Sequence, residues 1–366
     1  MSGPWPTPGQ EDLLLAAFGP EPDARQAYLR LSRPSTTPDL AALWPLVDRR
    51  WPPAETGRPP EGLAPYLTAW RQNRERLLSL EAVFEAFDRE AIPFMLIKGG
   101  ALLLRHYRDP GLRNMHDLDV LVPEATLEPA ATVLAAAGFT PWRGVSPAGI
   151  RRRAHVRHAW PFAGPEGTSV DLHWRPVARC FAPHVTRRFW EGCERVALGR
   201  RSARVPGPAE QLFQVCAHAL QRDWDSRPRW VADALTVLRT PIDWERLGEL
   251  AGGAAMRLRV AHALGYLRAR FGAPVPCGFL DSLAAAAERW ERRERRLPLG
   301  SNASSAFDLF LWHVYTFRRL RPWHEPWAGL PAPLAFSRYA AAALEVDRLS
   351  GIPAALWRWA RGELRA

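Results

Sequence analysis

The sequence predicts an α+β protein, a small mixed sheet flanked by an N-terminal helical segment and a helical C-terminal domain. Three observations carry that expectation. Short apolar runs of strand length, bounded by Gly and Pro, fall within residues 91–205. On either side of them apolar residues recur three and four apart, the spacing of amphipathic helices. Pro206-Gly207-Pro208 separates the sheet texture from the helical one, so the expected units are 1–90, 91–205 and 206–366.

Each element follows from local pattern. Residues 1–60 are proline-rich, with apolar stretches at Asp12–Phe18 and Leu40–Val47. Trp44 and Trp51 are costly to expose, so this segment is expected to pack on the body. Leu67, Leu77, Leu78, Leu80, Val83, Phe84 and Phe87 predict one long helix over Leu63–Arg89. Ile92–Ile97 reads as a buried strand, and Lys98-Gly99-Gly100 as a turn into a helix over 101–107. Asp109-Pro110-Gly111 is a loop. Asp117–Val122 is a second strand stopped by Pro123, and Glu124–Ala137 a helix closed by Gly138. Further strands are expected at Phe139–Trp142, His155–Phe162 and Thr168–Trp174. Beyond Pro208, helices are expected at about 209–222, 229–239, 243–251, 254–271, 278–296, 303–319, 331–347 and 353–363, divided by prolines.

Composition narrows the classes of function. The chain has 366 residues, 47% of them hydrophobic, enough for a sizeable core and about two domains. The 49 basic residues exceed the 38 acidic ones by 11, which favours anionic partners. Cys180, Cys193, Cys216 and Cys277 are far apart and form no CxxC pair, so a zinc ribbon or disulfide scaffold is not expected. No apolar run reaches the roughly 18 residues of a membrane helix, and the first residues lack the pattern of a signal peptide. A cytoplasmic protein with no membrane partner is the expectation. Lys98 is the single lysine beside 48 arginines, and a compact ammonium does at phosphate oxygens what a planar guanidinium does not.

The chemistry centres on Asp117 and Asp119. Residues two apart in a strand share a face, so both carboxylates project together while Leu118, Val120 and Val122 take the other face. Two like charges so close raise each other's pKa unless a cation lies between them, which suggests a hard divalent ion, Mg²⁺ or Mn²⁺. The plainer alternative is a strand-end cap beside a solvated acid. Paired glycines at 99 and 100 let backbone N–H groups approach an anion, or make only a tight turn. In Ser169–Trp174, Asp171 and His173 share a face. If that strand lies beside 117–122, Asp171 joins the other carboxylates, the arrangement that supports in-line phosphoryl transfer.

Taken in order, a Gly-Gly turn after a strand, Asp-x-Asp on the next strand and one acid on a later strand resemble the nucleotidyltransferase fold of the polymerase-β-like superfamily. Ile97–Gly100, Arg105-His106-Tyr107, Asp109-Pro110-Gly111, Arg113, His116–Val122 and Val170–Trp174 more closely resemble a bacterial family described as uncharacterised nucleotidyltransferases. The similarity continues through Gln211-Leu212, His218, Arg229-Trp230, Asp233 and Asp243-Trp244, about residues 65–275. The resemblance implies a metal-dependent transfer of a nucleoside monophosphate from a nucleoside triphosphate, ATP favoured, with release of pyrophosphate. It implies that Gly99 and Gly100 lie against the triphosphate and that Asp117 and Asp119 hold the metal. Asp171 would complete a second metal site or serve as base. Lys98 and Arg113 are added as phosphate partners on charge and position. Two departures from the superfamily stand out: sixteen residues separate Gly100 from Asp117, and a glycine occupies position 100 where serine is frequent.

Several residues invite roles that plainer readings also cover. His173 could orient an acceptor or bind metal, though a hydrogen-bonded wall of the site is the plainer expectation. His155 and His158 are three apart and make a poor metal pair. Arg151-Arg152-Arg153 is expected to be solvated, and Arg229 with Asp233 to pair along a helix. The alternatives to an enzyme are a catalytically inactive nucleotide-binding or regulatory protein and an RNA-modifying or RNA-binding protein. Three acids in place argue against the first, and the lack of a compact basic-aromatic stripe against the second. The acceptor, whether small molecule, peptide, protein or RNA end, is not encoded in any motif.

Overall fold

The computed structural model describes residues 5–31, 38–219, 229–294, 306–324, 327, 329–344, 346 and 349–352. Seven strands form one mixed sheet: β1 (Met95–Ile97), β2 (Leu118–Leu121), β3 (Thr140–Pro141), β4 (Ala159–Ala163), β5 (Ser169–His173), β6 (Glu194–Leu198) and β7 (Arg201–Val205). Their spatial order is β3-β4-β5-β2-β1-β7-β6. β1 runs antiparallel to β2 and parallel to β7, and β2 runs parallel to β5. Every residue of β1 and β2 is buried, as central strands covered on both faces require. Toward one edge β4 alternates, with Trp160 and Phe162 inward and Pro161 and Ala163 outward.

Helices flank the sheet, and one hydrophobic cluster runs from Leu13 through the strands to Leu283. Within it Trp44 is buried, and Trp51 stacks on Tyr28 at 4.9 Å while donating its indole N–H to the Ala16 carbonyl, so the N-terminal segment packs on the body as expected. A smaller cluster joins Phe181 to Phe317, Leu320, Trp327, Ala335 and Tyr339. Arg179 and Arg319 both bind the Glu294 carboxylate, at 2.7 and 2.8 Å, and tie these C-terminal helices to the segment after β5. Among the described residues no helix is long and apolar enough to cross a membrane.

Several expectations change, and the helix expected over 278–296 is two, Cys277–Ala286 and Arg289–Glu294. The helix expected over Leu63–Arg89 is two, Leu63–Ser79 and Glu81–Arg89, meeting at buried Leu80. The break lets Val83, Phe84 and Phe87 enter the core, while Leu63, Leu67, Trp70 and Leu78 of the first helix stay exposed. The helix expected over 101–107 starts at Lys98 and continues as a π-helical turn over Leu103–Tyr107. The hairpin β6–β7 was not anticipated, because its arginines and glutamate hide a half-solvated edge behind a polar composition. The helix expected over 353–363 lies outside the described residues.

The long connection between the Gly-Gly turn and β2 is held by a polar bracket. Asn73 is fully buried, and its amide donates to the carbonyls of Pro110 (2.7 Å) and Arg113 (2.6 Å) while its oxygen accepts from Met115 N–H (3.2 Å). The Tyr66 ring packs on Gly111, where a Cβ would lie 2.2 Å from a ring carbon. The sixteen-residue spacing is thus absorbed by helix Leu63–Ser79.

Candidate active site

Sheet register assembles the carboxylates. Parallel pairing sets Asp119 beside Asp171, and Ile97 lies opposite Asp119, so Lys98 follows directly at the edge of the centre. Residues in register share a face, and two residues along β5 brings His173 to that face as well. Asp119, Asp171 and His173 offer ligand atoms all within 4.8 Å of one another. Asp117, two residues ahead of Asp119 and just outside the strand, is not in that group, though its charge acts on Lys98 and Asp171.

Lys98 closes the centre. Its ammonium is 2.6 Å from Asp119 Oδ1 and 3.3 Å from His173 Nε2. The side chain reaches there from a backbone with φ of +46°, a conformation that L residues rarely adopt. Its N–H donates to Gln214 Oε1 at 3.0 Å, and Gln214 in turn donates to the Pro176 carbonyl at 2.6 Å. Helix Pro208–Ala219 therefore braces the strained residue.

His173 is fully buried, and its Nδ1 faces the Arg175 carbonyl at 3.2 Å. Its Nε2 lies 2.9 Å from Asp119 Oδ1, so the ring is held between a backbone carbonyl and a carboxylate. A histidine fixed by a backbone carbonyl, with its other nitrogen toward a carboxylate, is also the way metal-binding imidazoles are oriented.

The electrostatics are unbalanced. Burial would neutralise Lys98, but Asp119, with Asp171 and Asp117 behind it, outweighs that and raises its pKa. Burial would raise Asp119 too, yet Lys98 and His173 hold it well below the usual carboxylate range. Asp117 is raised by burial and then by Asp119. Burial and then Asp119 push Asp171 up to about 7. One ammonium thus faces three carboxylates.

Gly99 and Gly100 lie in the first turn of helix Lys98–Leu102 and are tightly packed against side chains. A Cβ at Gly100 would lie 2.9 Å from Leu118 Cδ1, and one at Gly99 would lie 2.7 Å from Arg113 Nη1. Arg113 is held by Asp233 through two hydrogen bonds of 2.9 Å, and the Tyr107 hydroxyl donates to the same carboxylate at 2.9 Å. Asp233 was expected to pair with Arg229, four residues back. Both its oxygens bind Arg113, 120 residues away in the chain, and Arg229 also donates to the Asn114 carbonyl at 3.2 Å. In the basic run, Arg151 pairs with Glu124 at 3.3 Å and Arg153 donates to the Gly149 carbonyl at 3.0 Å. His155 stacks toward His324 and Trp327, whereas the His158 ring lies 5.4 Å from that of His173.

Sequence reasoning passed over Gln214 and Arg76 near the centre, and gave His158 and His218 no role there. His158 and His218 are both held far below the usual histidine pKa by burial, and the charge of Lys98 adds to that. Gln214 braces Lys98. Arg76 lies near Asp117, and among the described residues its Nε and Nη1 are buried without a hydrogen-bond partner. Only the Arg76 spacing on its helix was readable in advance, three residues after Asn73 and so on nearly the same face.

A search of the curated proteins finds no match. Among solved structures the chain is similar to an antigenic nucleotidyltransferase-like protein from Paracoccidioides brasiliensis, at 15% identity and a TM-score of 0.36, over 56% of this chain and 96% of that one. Residues 57–272, which include every residue of the carboxylate centre, match the family described as uncharacterised nucleotidyltransferase. The chain belongs to that nucleotidyltransferase family.

Proposed function

We propose that this protein is a divalent-metal-dependent nucleotidyltransferase that moves a nucleoside monophosphate, AMP from ATP in the favoured case, onto an acceptor hydroxyl or phosphate. The observation that carries the reading is the convergence of Asp119, Asp171 and His173 within 4.8 Å around a position already served by a cation. The donor set fits a divalent ion. Two carboxylates and an imidazole whose second nitrogen is tied to a carbonyl would hold it, with Asp117 alongside. Such an ion supplies charge neutralisation at the α-phosphate.

The chain's own groups account for the rest. Gly99 and Gly100 let the backbone approach the triphosphate, Arg113 Nη1 flanks that turn, and the buried donors of Arg76 are available to a phosphate oxygen. The acceptor oxygen bonds to the α-phosphorus, the α–β phosphoanhydride bond breaks, and pyrophosphate leaves with that electron pair. A carboxylate of the centre takes the proton of an acceptor hydroxyl. Imidazole among the donors favours Mn²⁺ over Mg²⁺, because nitrogen ligands suit transition metals better than the harder ion.

Calorimetric titration of Mn²⁺, Mg²⁺ and ATP tests this in the wild type and in Asp119→Asn, Asp171→Asn and His173→Gln. The expected result is metal binding lost in Asp119→Asn, and a larger loss for Mn²⁺ than for Mg²⁺ in His173→Gln. Metal affinity unchanged in all three variants would refute the centre. A second reading, nucleotide binding without turnover, is favoured by the place of Lys98 between Asp119 and His173. ATP binding that never yields pyrophosphate with any acceptor, and that survives Asp119→Asn, would select it.

A further inference from the structure

A cavity of about 570 Å³ opens between helices Pro8–Phe18 and Trp44–Arg50, the turn Leu103–Tyr107 and the end of helix Arg229–Val237. Five arginines line it (Arg49, Arg50, Arg105, Arg108 and Arg239) and no acidic residue does. Two of the five are compensated. Arg105 binds Glu194 at 2.6 Å, and Arg50 donates to the Gly19 carbonyl at 2.7 Å and to exposed Glu21 at 3.2 Å. Among the described residues Arg49, Arg108 and Arg239 have no carboxylate partner. The Arg239 guanidinium lies 5.1 Å from the centroid of the Phe18 ring, and the charge of Arg49 acts on it.

Like charges gathered around a hollow repel one another, and an anion entering it relieves them. Forked guanidinium donors match phosphate oxygens in pairs. The volume falls in the range of small-molecule sites, roughly 300–1,000 Å³. We infer that this cavity binds a small molecule carrying a phosphate or pyrophosphate group, at a place separate from the carboxylate centre. Tyr107 forms part of its wall and donates to Asp233, which holds Arg113 against Gly99. An occupant therefore bears on the Gly99–Gly100 turn through one shared carboxylate. That makes the ligand a regulator, a role that rests on the catalytic reading, whereas the binding itself does not.

Calorimetry with inorganic pyrophosphate, in EDTA so that no divalent ion contributes, tests the binding on the full chain. Wild type and Asp119→Asn should bind alike, and Arg49→Gln/Arg239→Gln about tenfold more weakly, with an affinity that falls as salt rises. Arg49 and Arg239 are exposed, so the double variant should melt with the wild type, which keeps a binding loss interpretable. No binding to the wild type, or equal binding by the double variant, overturns the assignment. Loss in Asp119→Asn alone would move the anion to the carboxylate centre and overturn it as well. A single-stranded RNA of about 20 nucleotides that binds more tightly than pyrophosphate, and is lost in the same double variant, would replace the small molecule with nucleic acid.

Discussion

Two buried cation–carboxylate pairs stand on either side of the Gly99–Gly100 turn, and they are built differently. Arg113 and Asp233 make two parallel hydrogen bonds, and Tyr107 fills a further acceptor position. Lys98 and Asp119 meet through one oxygen only, with Asp171, Asp117 and the His173 imidazole gathered around a single ammonium. A saturated pair has nothing further to offer and fixes shape. An unsaturated one keeps donor atoms and charge in hand for a ligand, which is why perturbed groups gather at functional sites.

The sharpest way to break this comparison is to remove one carboxylate from each pair. Asp233→Leu should cost about 3–5 kcal/mol in urea denaturation, because it strands a buried guanidinium, and Arg113→Met/Asp233→Leu should recover most of it. Asp119→Asn should cost clearly less, since Asp171 and Asp117 remain to face Lys98. Equal losses for Asp233→Leu and Asp119→Asn would erase the distinction between a structural pair and a ligand-ready one.

Smaller changes sharpen it. Gly111→Ala places a methyl into the Tyr66 ring and should destabilise by about 1–3 kcal/mol, loosening the loop that carries Arg113. Tyr107→Phe removes one hydrogen bond from the saturated pair and should cost about 1 kcal/mol by the same measurement. A further effect is one of pH. Burial, then Arg105, lowers His106 to about 4, below the ordinary 6.5. Between those values the unfolded chain binds more protons, so stability should fall as pH falls across that window. His106→Gln should flatten part of that slope in denaturation midpoints measured from pH 7 to pH 4.

Much of the site was legible because its components are local. Alternation along 117–122 and 169–174 sets the facing of Asp119, Asp171 and His173 whatever the rest of the chain does. Lys98 was conspicuous by composition alone. Arg113 read as a phosphate partner because its charge sits near the turn, but its hold by Asp233 spans 120 residues and leaves no local trace. The same limit hid the β6–β7 edge, where a half-solvated hairpin carries too many charges to resemble a strand, and the bracket of Asn73, a polar residue inside a helix.

The strands that carry the acids, the paired glycines and the facing of the acids were determined by the sequence itself, through the side-chain period of 2 and the stereochemistry of Gly and Pro. Tertiary structure alone decided that Asp171 lies beside Asp119, that Lys98 turns through a positive φ to reach them, that helix Leu63–Ser79 stops short, and that arginines from three distant segments face one cavity. Those outcomes depend on which surfaces bury one another, and burial is a property of the assembled chain rather than of any stretch of it.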